Sequence, residues 1–165
     1  MKILKWVVIN LVVLVALLFS IGICLPQKYH VERSVVIDAP MPAIFAHVDN
    51  LRDWEKWSAW TKERYPGMTV TYGEKDSGTG AEYSWTIPDQ GSGTLRLTGS
   101  NMGYGVGYAL EMDGGKNQSA GLFQFKPAES GTRVIWTNQG EVGWSPIERY
   151  TALLMDRMMG PDFQT

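Results

Sequence analysis

Polar and apolar positions divide this chain into two unequal parts. Residues 6–25 (WVVINLVVLVALLFSIGICL) carry no charge and only a few weakly polar side chains, Asn10 and Ser20 among them. As a helix, these 20 residues rise about 1.5 Å each and cover roughly 30 Å, the thickness of a bilayer's hydrocarbon core. After Pro26 the run stops. Residues 29–37 (YHVERSVVI) are rich in β-branched side chains and predict a first strand, ended by Asp38-Ala39-Pro40. Pro42 suits a first helical turn, and Ile44, Phe45 and Val48 then share a helical face. Asn50 with Asp53 three residues on resembles a helix cap and starts a second short helix bearing Leu51, Trp54 and Trp57.

From there the period becomes two. Stretches 68–72, 81–87, 94–99, 106–112, 121–126 and 133–138 alternate or are β-rich, with Gly, Asn, Asp or Pro between them. Hairpin-length connections make the sheet antiparallel. Ser145-Pro146-Ile147-Glu148 is a capping box with proline at the first helical position. Ile147, Tyr150, Leu154 and Met158 then recur along one helical face, until Gly160-Pro161 breaks it. The order is strand, two short helices, six strands, one longer helix. That order predicts an α+β fold: a seven-stranded curved antiparallel sheet around a C-terminal helix, with a cavity between them.

Charge and cysteine usage narrow the setting. Lys2 and Lys5 precede the apolar run and Lys28 follows it, a bias that keeps the N-terminus cytoplasmic. We therefore expect a single-pass inner-membrane anchor over 1–28 and a domain over 29–165 outside the cytoplasm, periplasmic in a diderm bacterium. A cleaved signal is the rival: Ser20-Ile21-Gly22 offers small residues, yet the apolar run continues to Leu25 with no polar stretch before it. Cys24, the only cysteine, follows the bulky Ile23, which does not suit lipidation. The domain therefore has neither disulfide nor thiol nucleophile and depends on its apolar core. Residues 1–28 hold three lysines and no acid, which leaves 12 basic and 17 acidic groups beyond them, a net charge of −5. Such a domain is a poor partner for nucleic acid or for an anionic membrane surface.

The motifs resemble a known family. Leu25-Pro26 and Val31-Glu32-Arg33-Ser34-Val35-Val36-Ile37-Asp38-Ala39-Pro40 are similar to the opening of START-like proteins of the SRPBCC superfamily, in the branch labelled polyketide cyclase/dehydrase. Val48-Asp49-Asn50-Leu51-Arg52-Asp53-Trp54, Trp57-Ser58-Ala59-Trp60, Gly80-Ala81-Glu82-Tyr83-Ser84-Trp85 and Gly131-Thr132-Arg133-Val134-Ile135-Trp136 agree, as does Met155 to Phe163. The resemblance spans about residues 25–163 and implies a helix-grip fold with a ligand tunnel. It does not imply catalysis, because the superfamily contains binders as well as enzymes. Relatives continue past Gly-Pro-Asp-Phe, whereas this sequence stops at Thr165. The last helix, about 14 residues or 21 Å, is therefore expected to be truncated and to close the cavity poorly. Asn101 to Gly107 (NMGYGVG) is richer in glycine than the corresponding hairpin of relatives.

Candidate site residues follow from strand phase. Tyr83 and Trp85 share a face, as do Phe123 and Phe125, and Val134 and Trp136. With Tyr108 they would line an aromatic cavity if those faces are concave, or simply fill the core. Trp54, Trp57 and Trp60 would sit at its mouth as a gate, as rings in the membrane interface, or as a tether for the small helices. Tyr150 and the Asp156–Arg157 pair on the last helix are candidates to border the cavity and meet a polar head group. His30 and His47 lack a carboxylate or thiol at metal-ligand spacing, and no GxSxG, HExxH or phosphate-binding glycine loop occurs. No catalytic residue, metal or cofactor is assigned. The expected function is binding of a small apolar molecule or lipid at the membrane. A cyclase/aromatase-like enzyme and a ligand-free, membrane-anchored interaction module are the alternatives.

Overall fold

The computed structural model describes residues 2–163; the last two positions of the domain expected over 29–165 lie outside them. Helix α1 (Lys2–Cys24) is followed by β1 (Lys28–Ile37), α2 (Met41–Asp49), a 3-10 turn (Leu51–Asp53), α3 (Trp54–Trp57) and β2 (Thr69–Tyr72). Then come β3 (Glu82–Ile87), β4 (Gly91–Asn101), β5 (Gly105–Met112), β6 (Asn117–Pro127), β7 (Thr132–Glu141), α4 (Pro146–Met159) and a second 3-10 turn (Gly160–Phe163). The strands form one antiparallel sheet in the order β1-β7-β6-β5-β4-β3-β2. This is the helix-grip fold, with one apolar helix before it.

Residues opposite one another across antiparallel strands share a face. The registers Tyr83↔Leu95, Leu95↔Leu110, Leu97↔Tyr108, Tyr108↔Gly121, Phe123↔Trp136 and Val31↔Asn138 therefore collect nearly all the large apolar side chains on one face. That face curves over α2, α3 and α4, and a β-bulge between Leu97 and Gly99 helps bend it. Its opposite face carries Ser84, Thr94, Arg96 and Glu82, with Arg96 and Glu82 paired at 2.7 Å. Trp54 is buried, donates from Nε1 to the Val48 carbonyl at 2.9 Å, and meets Tyr83, Tyr108 and Phe123 edge to face. Of the three roles weighed for the tryptophans, Trp54 has the tethering one.

Two expectations need correction. Strands β4, β6 and β7 are longer than predicted, because long neighbours supply backbone partners beyond the alternating segments. As expected, α4 ends at Met159, just before Gly160-Pro161, and the chain then tightens into a 3-10 turn that carries Phe163 onto Trp136, rings stacked at 4.0 Å. The stripe Ile147, Tyr150, Leu154 and Met158 is not the packed face of α4: Ile147 and Leu154 are 74 % and 50 % exposed. Ala152, Met155 and Met159 turn inward instead. Both sides of α4 are apolar at helical spacing, so periodicity alone could not choose between them.

Candidate functional site

A cavity of about 370 Å³ lies between α4 and the concave face. Tyr83, Trp85, Leu95, Tyr108, Leu110, Met112 and Asn138 form its floor, Met155, Met158 and Met159 its roof, and Trp54, Trp60, Tyr65 and Met68 its flank. It adjoins a hollow of about 240 Å³ with which it shares Leu110, Met112, Met155 and Met159. This hollow reaches Tyr29, Glu141, Gly143 and Glu148, beside the chain that leaves α1. Together the two run beneath the length of α4. A separate apolar hollow of about 390 Å³ lies under α2, lined by Val35, Ile37, Ala43, Trp57, Val134 and Trp136. A broad depression of about 960 Å³ straddles the polar end of the sheet around Lys28, Lys116 and Glu141. It is an open surface of mixed polarity, not an enclosed wall, and the space beneath α4 has the properties of a ligand site.

One polar cluster interrupts the apolar floor. The Tyr108 hydroxyl accepts from Trp136 Nε1 at 2.9 Å and from Asn138 Nδ2 at 3.1 Å. Asn138 also leans on Ser119 Oγ at 3.4 Å, and its Oδ1 has no partner among the described residues. The side chain is 1 % exposed. Strand register explains how the cluster assembles. Gly121 stands between Tyr108 and Asn138 in the ladder, and a Cβ there would lie 2.1–2.3 Å from the Tyr108 ring. Only a missing side chain lets that ring lie across β6 and bring its hydroxyl to Asn138. Burial pushes the Tyr108 phenol up to about 12, partly offset by its hydrogen bonds from Asn138 and Trp136. Burial raises Tyr83 as well. Both phenols are neutral at ordinary pH, able to hydrogen-bond but not to act as anions.

Of the expected site residues, Trp60, Tyr83, Trp85 and Tyr108 line the cavity beneath α4, while Trp57, Phe123 and Trp136 line the hollow beneath α2. Phe125 is buried against Phe45, ring centroids 5.9 Å apart. Tyr150 lies elsewhere: it packs on α1 and donates from its hydroxyl to the Leu18 carbonyl at 2.7 Å. The Asp156–Arg157 pair is not a unit. Asp156 is bound by Arg33 of β1 at 2.7 and 3.0 Å, and Arg157 is exposed. Adjacent helix positions do not face each other, whereas Arg33, in the phase of buried Val31 on edge strand β1, reaches Asp156 across the fold. His47 Nδ1 meets Asp53 at 2.8 Å, and among the described residues no three His, Cys, Asp or Glu side chains gather as a metal site. Sequence reasoning missed Asn138, although it shares the inward phase of Val134 and Trp136. A polar residue in an apolar phase was the available signal.

A family model described as "Polyketide cyclase / dehydrase and lipid transport" matches residues 28–165. No curated protein matches the chain significantly. Among solved structures, a Staphylococcus aureus protein of unknown function aligns over 84 % of this chain and 88 % of its own, with a TM-score of 0.62 and 13 % identity. The di-domain ARO/CYC protein of the steffimycin biosynthetic pathway aligns with a TM-score of 0.59 and 11 % identity, covering 84 % of this chain and 47 % of that one. Ara h 8.0201 gives 0.53 and 10 % identity, covering 84 % and 99 %. At these identities the likeness is one of fold.

Proposed function

Because this chain belongs to the polyketide cyclase / dehydrase and lipid transport family, we propose that it binds a small, uncharged, mainly apolar molecule in the cavity beneath α4, at the surface of a membrane that α1 spans. The observation that carries this reading is the unmatched Asn138 amide oxygen in a floor otherwise made of rings, leucines and methionines. Leaving a buried acceptor unpaired costs about 1–3 kcal/mol, which a ligand hydroxyl or acid proton would recover. Turning the amide over exchanges the acceptor for a donor and still leaves one group unmatched, so a hydroxyl serves either orientation. Among the described residues, no unpaired charge lines the cavity that would favour an ionic ligand; Asp162, at its edge, pairs with Arg64 at 2.7 Å. The methionines of the roof adapt to shape and the rings supply apolar area. Anchorage is supported by Ile3–Cys24, long and apolar enough to cross a bilayer at a mean hydropathy of 2.9. The lysines before it favour a domain outside the cytoplasm.

The test is mass spectrometry of the full chain extracted in native lipid discs, compared with a cavity-filling Met155→Trp variant. A neutral, hydroxyl-bearing apolar molecule should accompany the wild type and be lost from the variant. Equal bound species in the two proteins, at equal folded yield, would refute the reading.

A further inference from the structure

Helix α4 has two apolar sides, and the cavity uses one. Ala152, Met155 and Met159 face inward, while Ile147, Leu153 and Leu154 are at least half exposed on the other side. Trp144, just before the helix, is 83 % exposed. A soluble surface rarely assembles such a patch without a partner.

The position of α1 identifies that partner. Pro146, Ile147 and Tyr150 line an apolar hollow together with Val15, Leu18 and Phe19. Gly22 allows the approach: a Cβ there would come within 2.7 Å of Pro146. Tyr150 holds the Leu18 carbonyl, and Arg149 holds the carbonyls of Ile23 and Leu25 at the end of α1. If α1 crosses a bilayer, its C-terminal end marks the head-group level. Leu18 is six residues before Cys24, hence about 9 Å deeper at 1.5 Å per residue. Interfacial amphipathic helices bury their apolar face about 5–10 Å into a leaflet; the tip of Tyr150 reaches that depth, while Pro146 stands beside Gly22, nearer the end of α1. Polar groups fall where that depth requires them. Arg149 lies at the end of α1, with Trp144 at 5.9 Å in the position of an interfacial ring.

We propose that α4 is also a membrane-docking helix, its outer side seated in the leaflet that the C-terminal end of α1 reaches. This rests on the anchorage reading above. The roof of the cavity is then a lipid-facing element. The hollow opening at Tyr29, Gly143 and Glu148 meets the head-group region, so an apolar ligand passes between bilayer and cavity without crossing bulk water.

Site-specific fluorescence tests this on the full chain. With Cys24→Ser as background, an environment-sensitive dye is attached at Ile147→Cys, and separately at Leu14→Cys in α1 and at Thr71→Cys on the far sheet edge. Each protein is reconstituted into phosphatidylcholine vesicles with and without doxyl-labelled acyl chains. The dye at 147 should be blue-shifted and lose fluorescence to the quencher, as the dye at 14 does, while the dye at 71 is unaffected. Quenching at 14 but not at 147 would leave the anchor standing and overturn the docking. No quenching at either would remove the anchorage reading and this proposal with it. A blue shift at 147 without quenching would mean that protein, such as a second copy, covers the patch, and would also overturn it.

Discussion

At the scale of residues, the site turns on Gly121, Tyr108 and Asn138. Gly121 is an absence that the neighbouring strand fills: the Tyr108 ring occupies the space a Cβ would need. Gly121→Ala should force the ring away, costing about 1–3 kcal/mol as overpacking in a core does, read as a lower urea midpoint at unchanged m-value. An unchanged midpoint would mean the ring has another place to go. Asn138→Leu keeps a comparable volume and removes the unmatched amide. Ligand retention in the native-disc experiment should fall about tenfold, the worth of one buried hydrogen bond, while the folded protein is as stable or more so. Undiminished retention would remove Asn138 from the binding reading. The two variants separate roles, since one disturbs the packing of the floor and the other its hydrogen bonding.

At the scale of elements, α4 is a roof with identifiable fastenings. Glu148 accepts from the Ser145 backbone N–H at 3.1 Å to cap its start. Phe163 stacks on Trp136 beyond its end. Asp156 joins it to Arg33 of β1 midway. The Arg33 hydrogen bond holds the Asp156 carboxyl below its usual value, against a smaller opposing effect of burial. A depressed folded value means that the proton binds the unfolded state more readily. The fastening is therefore complete above the ordinary carboxylate range near 3.8 and is lost as pH falls through the folded value beneath it. Asp156→Asn should reproduce the acid state at neutral pH, with faster hydrogen exchange in the amides of α4 and little change in β5 and β6. Equal exchange in wild type and variant would show that Phe163 and the α1 contacts suffice to hold the helix.

At the scale of the whole molecule, the apolar helix and the cavity are one arrangement. The chain leaving α1 enters β1 within a few residues, and Val142, just before α4, bonds the Gln27 carbonyl at 2.8 Å. The first strand and the last helix both start near the C-terminal end of α1, which sets one opening of the cavity there. The lysine bias before α1 predicts an orientation: in a diderm host, alkaline phosphatase fused after Phe163 should be active. An inactive fusion with a fluorescent cytoplasmic reporter at the same site would reverse it.

Much of this was determined by the sequence alone. The apolar run, the change of period from 3.6 to two after Met68, and the Ser145-Pro146-Ile147-Glu148 start are local signals, because burial and capping are read from neighbouring positions. The same periods placed Tyr83, Trp85, Phe123 and Trp136 in the inward phase of their strands. What a local pattern does not contain is which strands lie side by side. Gly121 acquires its role only because β5 and β7 flank β6, and Asn138 Oδ1 is unmatched because its neighbours across the sheet, Val31 and Gly121, carry no polar side-chain group. Asp156 turned from Arg157 to Arg33 for the same reason, 123 positions away. On α4 the sequence carried two apolar stripes, and tertiary packing assigned Met155 and Met159 to the cavity and Ile147 and Leu154 to the outside. Periodicity says that a face is apolar; only the folded chain decides which apolar face has a neighbour.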